Sequence, residues 1–190
     1  MAKRMTTEAR RVQLLAAGKR VFATVAYDKV STADLAAATD TSKGLLYHYF
    51  GNKRGFYLAT IRASADELLA ATTFAPELGG IAGSLDRFAQ FVEREGAFFR
   101  SVVRGGIGAD EEVDTLVRGV RSELVARICG ALGVVEPSVT MTAQMWGWIG
   151  YAEGIAIFWV EEQTFDRATL ASLLQASFLS ILTTGMADAV

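Results

Sequence analysis

The sequence predicts an all-α protein, on three observations. Apolar residues recur at helical spacings of three and four along most of the chain, and no segment alternates with the period of a strand. Only Pro76 and Pro137 interrupt the 190 residues, which suits long helices. An apolar content of 51% supplies a sizeable core. We expect about nine helices in total.

A first helix is predicted over residues 7–25, with basic residues on its outer side. Its apolar face carries Leu14, Leu15, Gly18, Val21, Phe22 and Val25. Asp28 and Lys29 form a turn. Ser31 then caps a short second helix, and Asp34, three residues later, is its partner in a capping box.

A tight turn at Asp40 leads into a third helix, which Thr41 or Ser42 caps and Gly51 ends. We expect a positive φ at Asp40, because Asp tolerates that conformation better than most residues. Two short helices joined by a tight turn are the layout of a helix-turn-helix, whose second helix enters the major groove of DNA. We therefore predict a three-helix DNA-binding domain over residues 1–55.

The rest of the chain, residues 56–190, is predicted to form a larger helical domain. Its helices are expected over about residues 52–73, 84–103, 110–132, 138–161 and 166–185, the first of them capped by Asn52.

Charge divides along the same boundary. Residues 1–55 hold ten Lys or Arg and four acidic residues, a net charge of +6, whereas residues 56–190 carry a net charge of −8. A basic segment on an acidic remainder indicates a polyanionic partner at one end only. The alternative is a chance asymmetry.

Several residues near the third helix suit contact with DNA, each with a plainer alternative. Gly44 in the first turn allows close approach of the backbone, or is a tolerated helix-end glycine. Lys53 opens the fourth helix, where a bound phosphate would reverse the unfavourable effect of the helix dipole on a cation. The alternative is a solvated lysine. Tyr47, His48 and Tyr49 are consecutive and cannot all face a small core. His48 is the only histidine, which excludes a multi-histidine metal site, and its alternative is a core or helix-end histidine.

The segment over residues 41–53, Thr-Ser-Lys-Gly-Leu-Leu-Tyr-His-Tyr-Phe-Gly-Asn-Lys, resembles the signature of the TetR/AcrR family of transcriptional regulators. Residues 31–36 and the first helix up to Tyr27 fit the same family, so the match spans about residues 8–58. Two positions depart from it: Asp40 stands where the family usually has Gly, and Ala26 where Gly often precedes Tyr. Both concern turn geometry.

The resemblance implies roles for individual residues. Lys43, Gly44 and Leu45 match positions that face base edges, and Tyr47 and Lys53 match phosphate contacts. Lys43 can donate to guanine O6 or N7, and Leu45 can offer an apolar contact to a thymine methyl. The flanking positions are Thr32, Ser42, His48 and Tyr49. Positive charge near the DNA backbone would come from Arg4, Arg10 and Arg11.

The C-terminal part of such a protein resembles a dimerisation and ligand-sensing domain. Glycines at spacings of three and four lie on one face of the most apolar helix, where a second helix can approach closely. With the last helix they can form a four-helix bundle across a two-fold axis, or pack within one chain. The expected interface residues are Gly147, Gly150, Gly154, Leu174, Ser177 and Ile181.

A surplus of large apolar side chains in this part suggests a pocket for an apolar ligand, and the alternative is plain core. The expected lining residues are Phe88, Phe91, Phe99, Trp146, Trp148 and Tyr151. Arg104, Gln144 and Glu153 are candidate polar anchors, and Glu153 is expected either to be exposed at the dimer seam or to be paired.

Together these features predict a homodimeric, ligand-responsive transcriptional regulator, most simply a repressor, with a pseudo-palindromic DNA operator and an unknown small-molecule effector as partners. No nucleophile elbow, P-loop, zinc-ligand spacing or dinucleotide fingerprint is present, so no enzyme, cofactor or metal is predicted. A carboxylate-only enzyme and a helical scaffold that does not bind DNA are the alternatives. The single Cys129 and the lack of a membrane-spanning pattern favour the cytoplasm.

Overall fold

A computed structural model describes residues 6–105 and 110–187, and the side chains as far as residue 183. These ranges contain eight α-helices and no β-strand, which confirms the all-α class with one helix fewer than expected. The helices are α1 (Thr7–Thr24), α2 (Thr32–Ala38), α3 (Lys43–Phe50), α4 (Lys53–Ala71), α5 (Gly80–Gly105), α6 (Glu111–Ala131), α7 (Val139–Glu162) and α8 (Arg167–Ala187). Single 3-10 turns lie at Tyr27–Lys29 and Pro76–Leu78.

The expected caps of α2 and α3 are confirmed. Ser31 and Asp34 form a reciprocal capping box, and these hydrogen bonds lower the pKa of the Asp34 carboxyl below its ordinary value. Asp40 has a φ of 47°, as its place in the turn predicts. The Ser42 hydroxyl, rather than Thr41, accepts from the first turn of α3, and Gly51 ends that helix with a φ of 75°.

The described helices pack as two compact units. Unit 1 comprises Met1–Asp66 with Ala97–Asp114, and unit 2 comprises Glu67–Gly96 with Thr115–Val190. The packing of unit 1 thus extends beyond the first three helices into the start of α4, the end of α5 and the first turn of α6. The functional boundary expected at residue 55 stays a prediction.

Aromatic contacts between α1 and α4 stabilise unit 1. The Phe22 ring lies 4.8 Å from that of Tyr57 and 6.0 Å from that of Phe56, centroid to centroid. Gly18 allows this approach, because a Cβ there would come within 2.7 Å of the Phe56 ring. Leu35 of α2 and Leu46 of α3 are also buried in this unit. Burial of these apolar side chains is the main stabilising contribution to the unit.

In unit 2, α7 packs along α8. The Trp148 ring lies 4.8 Å from Phe178, and its indole N–H donates to the Ser177 hydroxyl at 3.1 Å. The buried stripe of α8 consists of Leu170, Leu174 and Phe178. Such a stripe at spacings of four and four is one face of a helix.

The acidic residue in the middle of α7, Glu153, has a charged partner. Both carboxylate oxygens of Glu153 accept from Arg121 of α6, at 2.9 Å and 2.6 Å. Only 17% of the Arg121 side chain and 16% of the Glu153 side chain are exposed. Of the two alternatives expected for Glu153, the structure therefore has the paired one.

Candidate nucleic-acid interface

Helix α3 presents one exposed face because its opposite side is anchored in unit 1. Leu46 points inward and is 3% exposed, while Lys43, Gly44 and Tyr47 are exposed and Leu45 is half-buried. The exposed side therefore offers a cation, a hydroxyl and bare backbone on one short helix.

The first turn of α3 has room for close contact. The Ser42 hydroxyl accepts the N–H of Leu45 at 3.1 Å, which fixes where the helix begins. A Cβ added at Gly44 would meet only the Ser42 hydroxyl, at 3.9 Å. The absence of a side chain at Gly44 leaves the backbone accessible to a groove wall or phosphate.

Two hydroxyls from different helices meet beside this turn. The Tyr47 hydroxyl of α3 lies 3.4 Å from the Thr32 hydroxyl at the start of α2. Tyr47 is 45% exposed, so its hydroxyl can also reach a partner outside the chain. The next two aromatic residues differ: His48 is exposed, Tyr49 is half-buried, and their rings meet edge to face.

Lys53, at the first position of α4, is held within unit 1. Its ammonium donates to the Val30 carbonyl oxygen at 2.7 Å and lies 4.3 Å from the centre of the Tyr27 ring. An ammonium has three donors, so this bond leaves two for a phosphate. The sequence did not indicate the inward bond, because Val30 lies 23 residues earlier.

The expected basic residues of α1 are also engaged in unit 1. Arg10 donates to the Asp40 carbonyl oxygen at 2.8 Å and to the Gln13 side chain at 2.9 Å. The Arg11 guanidinium lies 5.9 Å from the centre of the Phe50 ring. Arg4 lies outside the described residues.

An ionic cluster that the sequence did not indicate joins α4 to the start of α6 within unit 1. Arg54 binds both Asp110, at 2.7 Å, and Glu112, at 2.8 Å. Arg62 binds the other oxygen of Glu112 at 2.7 Å. The Arg54 hydrogen bond lowers the pKa of the Asp110 carboxyl from 3.8 to about 2. The sequence did not indicate these ion pairs, because acidic residues at the start of a helix are explained just as well by their favourable interaction with the helix dipole.

We expect Asp110→Asn to remove a pH-dependent part of the stability. The folded-state pKa of Asp110 lies below its ordinary value, so its stabilisation is present above 3.8 and is lost as the pH falls towards about 2. The thermal midpoint of the parent protein should therefore fall more steeply between about pH 4 and pH 2 than that of the variant. Thermal unfolding followed by circular dichroism at stepped pH measures this. Glu111→Gln, at an exposed neighbour on α6, is the control and should keep the parent slope.

The outer face of α7 is bare in the single chain. Gly147, Gly150 and Gly154 are exposed, and a Cβ added at any of them meets nothing within 4 Å. Tyr151 and Phe158 are 44% and 51% exposed on the same helix. A helix face built of glycine and exposed aromatic residues is suited to a partner helix.

The expected interface residues of α8 are less exposed than the glycines of α7. Leu174 is 0% exposed and belongs to the core of unit 2, so it has no surface to offer a second copy. Ser177 and Ile181 are half-buried. The outward apolar residues of α8 are instead Leu173, at 39% exposed, and Leu179, at 52%.

Comparisons with known proteins identify the family. The family model described as bacterial regulatory proteins, tetR family, matches residues 14–60. The model described as tetracyclin repressor-like, C-terminal domain, matches residues 79–181, more than half of the chain. The chain belongs to the TetR family. This confirms the resemblance seen in residues 31–53.

One relative of this TetR-family chain agrees over part of its length. The HTH-type transcriptional repressor Rv1474c of Mycobacterium tuberculosis (strain ATCC 25618 / H37Rv) is 32% identical over 65 residues, which are 34% of this chain. The match spans about a third of that relative's length, 35%.

Solved structures extend the likeness to 97% of the chain. A tetR-family transcriptional regulator from Streptomyces coelicolor is 28% identical with a TM-score of 0.84, covering 97% of this chain and 85% of the other. A TetR-like transcriptional regulator from Rhodococcus sp. RHA1 shares the fold, with 21% identity, a TM-score of 0.75 and coverage of 97% and 99%. The family and these neighbours are regulators of transcription rather than enzymes.

The aromatic residues expected to line a pocket in this TetR-family chain differ in exposure. Phe88, Phe91, Phe99 and Trp148 are buried, Trp146 is half-buried and Tyr151 is exposed. A separate hollow of about 330 Å³ in unit 2 is lined by Thr73, Phe74, Arg127, Gly130 and Ala131. None of the six expected residues lines that hollow, and their role in ligand binding stays a prediction.

Two further properties concern cofactors and membranes. Among residues 6–105 and 110–187, no three His, Cys, Asp or Glu side chains converge in a way that could hold a metal ion. Over the same described ranges, no helix combines the length and the apolarity needed to cross a bilayer.

Proposed function

We propose that this TetR-family chain is a homodimeric repressor of transcription, which binds a pseudo-palindromic operator through α3 and is released by a small, largely apolar ligand. The observation that carries the proposal is the exposed face of α3, where Lys43, Gly44 and Tyr47 stand together. This face lies within the segment of net charge +6, which suits a DNA partner.

In this proposal α3 reads bases and its surroundings bind phosphates. Lys43 donates to guanine O6 or N7, and Leu45 contacts a thymine methyl. The Tyr47 and Thr32 hydroxyls, which already lie within 3.4 Å of each other, share the binding of phosphate oxygens. Lys53 adds the two ammonium donors that Val30 does not use. The remaining contacts come from Ser42, Gly44, His48 and Tyr49.

A two-fold dimer provides two copies of α3. The bare glycine face of α7, with Gly147, Gly150 and Gly154, supports close packing against a second copy. On α8, Leu173 and Leu179 are exposed and available to a second copy, whereas Leu174 is buried. Two recognition helices then reach half-sites about 34 Å apart or a near multiple of that distance.

Ligand binding weakens DNA binding if the ligand prefers a conformer with another spacing between the two α3 helices. The size of the effect equals the difference in the ligand's affinity for the two conformers. The surplus of large apolar side chains in this part of the sequence supports an apolar ligand, although Phe91 and Trp148 themselves are buried in the single chain. A cytoplasmic location belongs to the same proposal.

Salt dependence tests DNA binding through phosphates. The logarithm of operator affinity should fall linearly with the logarithm of salt concentration, because each phosphate contact releases a counterion. Fluorescence anisotropy with labelled duplexes selected from a random pool measures it. A slope near zero would contradict the proposal.

Two lysine variants should separate base reading from phosphate binding. Lys43→Ala should lower the affinity for the operator about tenfold to a hundredfold and change the base preference at the one base pair that Lys43 contacts. Lys53→Met should weaken binding to all sequences alike and reduce the salt slope by about one. Methionine keeps an apolar stem of similar length, which limits the loss of packing around Tyr27.

Arg20→Ala is the charge-matched control. Arg20 is exposed on α1, and its guanidinium donates to a carbonyl of its own helix. It should leave base preference unchanged. If both lysine variants bind as Arg20→Ala does, the assignment of Lys43 and Lys53 is wrong.

A further inference from the structure

The turn between α2 and α3 is held in an unfavourable backbone conformation. Its hydrogen bonds are those of a Schellman motif: the Thr41 N–H donates to the Ala36 carbonyl at 3.0 Å, and the Asp40 N–H to the Ala37 carbonyl at 3.2 Å. The left-handed position of this motif is usually glycine, because a Cβ is disfavoured there. Here Asp40 occupies it, with a φ of 47°.

The next residue adds a second unfavourable feature. The Thr41 hydroxyl is buried and has no hydrogen-bond partner among the described residues. A buried hydroxyl without a partner loses its bonds to water and gains nothing in return. The turn therefore contains two local penalties in adjacent residues and requires stabilisation from outside itself.

Arg10 of α1 supplies such an outside contact. Its guanidinium donates to the Asp40 carbonyl oxygen at 2.8 Å, thirty residues away in sequence. A second nitrogen donates to Gln13 at 2.9 Å, which fixes the plane of the group. A hydrogen bond from a charged donor is stronger than a neutral one. Arg10 thus ties the strained residue to the long helix of the same unit.

We propose that Arg10 is a positioning residue for DNA recognition. It holds the turn at Asp40 in the conformation that directs α3 towards the groove. Helix α3 begins at Lys43, three residues after Asp40, so a change in the φ of Asp40 redirects the whole recognition helix. This role differs from the phosphate contact that the resemblance implied for Arg10, because the guanidinium is aimed at the protein's own turn.

The test compares Arg10→Gln, Asp40→Gly and the double variant on operator and on random duplex. Arg10→Gln should weaken operator binding about tenfold relative to random DNA. The salt slope should match that of Arg20→Gln, which removes the same charge from the outer side of α1. In the double variant, Asp40→Gly should restore the ratio of operator to random affinity that Arg10→Gln had lowered. The ratio should return to within about threefold of the parent, because glycine adopts a positive φ without strain.

Three outcomes would overturn the proposal. Arg10→Gln can lower operator and random affinity equally, with a slope reduced by about one, which identifies a phosphate contact. It can leave the ratio unchanged. It can also lower the ratio without recovery by Asp40→Gly. A variant that lost only global stability would bind with the parent ratio at temperatures where circular dichroism shows it folded.

Arg10→Lys covers the case in which Arg10→Gln does not fold. Lysine keeps the charge and can still donate to the Asp40 carbonyl oxygen, so it should retain the parent ratio to within about threefold if that bond is what matters. A tenfold or greater loss in Arg10→Lys, with Asp40→Gly giving no recovery, contradicts the proposal. Failure of the parent protein to bind any duplex concerns the proposed function instead, so the two failures are distinguishable.

Discussion

Gly150→Glu is expected to convert the protein from dimer to monomer and to weaken operator binding about a hundredfold or more. In the proposed dimer, the bare face of α7 meets its own copy, so glutamate would place unpaired carboxylates in a closely packed seam. A monomer reaches one half-site only and loses the affinity that comes from two linked contacts. Sedimentation equilibrium and fluorescence anisotropy measure the two effects.

The same substitution should not damage the protomer. A Cβ at Gly150 meets nothing within 4 Å in the single chain, and the position is exposed. Glutamate is also a better helix former than glycine, by about 0.5 kcal/mol. Circular dichroism of the separated protomer should therefore show the helical content of the parent chain, even where loss of the partner lowers the thermal midpoint.

Gly119→Glu is the matched control, because Gly119 is an exposed glycine of α6 with equally open surroundings. It should remain dimeric and bind the operator like the parent. A dimeric Gly150→Glu variant with parent affinity would show that α7 does not form the interface.

Local chemistry explains why the helix-turn-helix was predictable. The caps at Ser31 and Ser42 and the stop at Gly51 depend on residues within four positions of one another. Residues that are neighbours in the sequence are therefore also the ones that contact each other in the structure. The positive φ at Asp40 follows from the residue type, whereas the hydrogen bond from Arg10, thirty residues away, does not.

Longer-range features could not be read in the same way. Arg54 and Asp110 are 56 residues apart, and no periodicity relates α4 to the start of α6. The phase of α8 was misjudged at Leu174 because apolar residues cover several of its sides, Leu173 and Leu174 among them. A helix that is apolar on several sides does not indicate which stripe is buried. Packing against α7 determines which stripe of α8 is buried.

Glu153→Gln is expected to lower the free energy of unfolding by about 2–4 kcal/mol, because it leaves the Arg121 charge largely buried with a neutral partner. The pair is bidentate and less than a fifth of either side chain is exposed. Chemical denaturation followed by circular dichroism measures the loss. Glu123→Gln is the control on α6: Glu123 pairs with Arg127 four residues later and is 49% exposed, so it should contribute about 0.5 kcal/mol or less.

The double variant Arg121→Met, Glu153→Leu should regain most of this stability, because two apolar side chains occupy much of the space without unpaired charge. Recovery of stability in the double variant would mean that the ion pair fixes how α6 packs against α7 and adds little net stability. The pair can do this because the Glu153 carboxylate, in the most apolar helix, is neutralised only where Arg121 can reach it. If Glu153→Gln proves no more harmful than Glu123→Gln, water must reach the pair and this account of the α6–α7 contact fails.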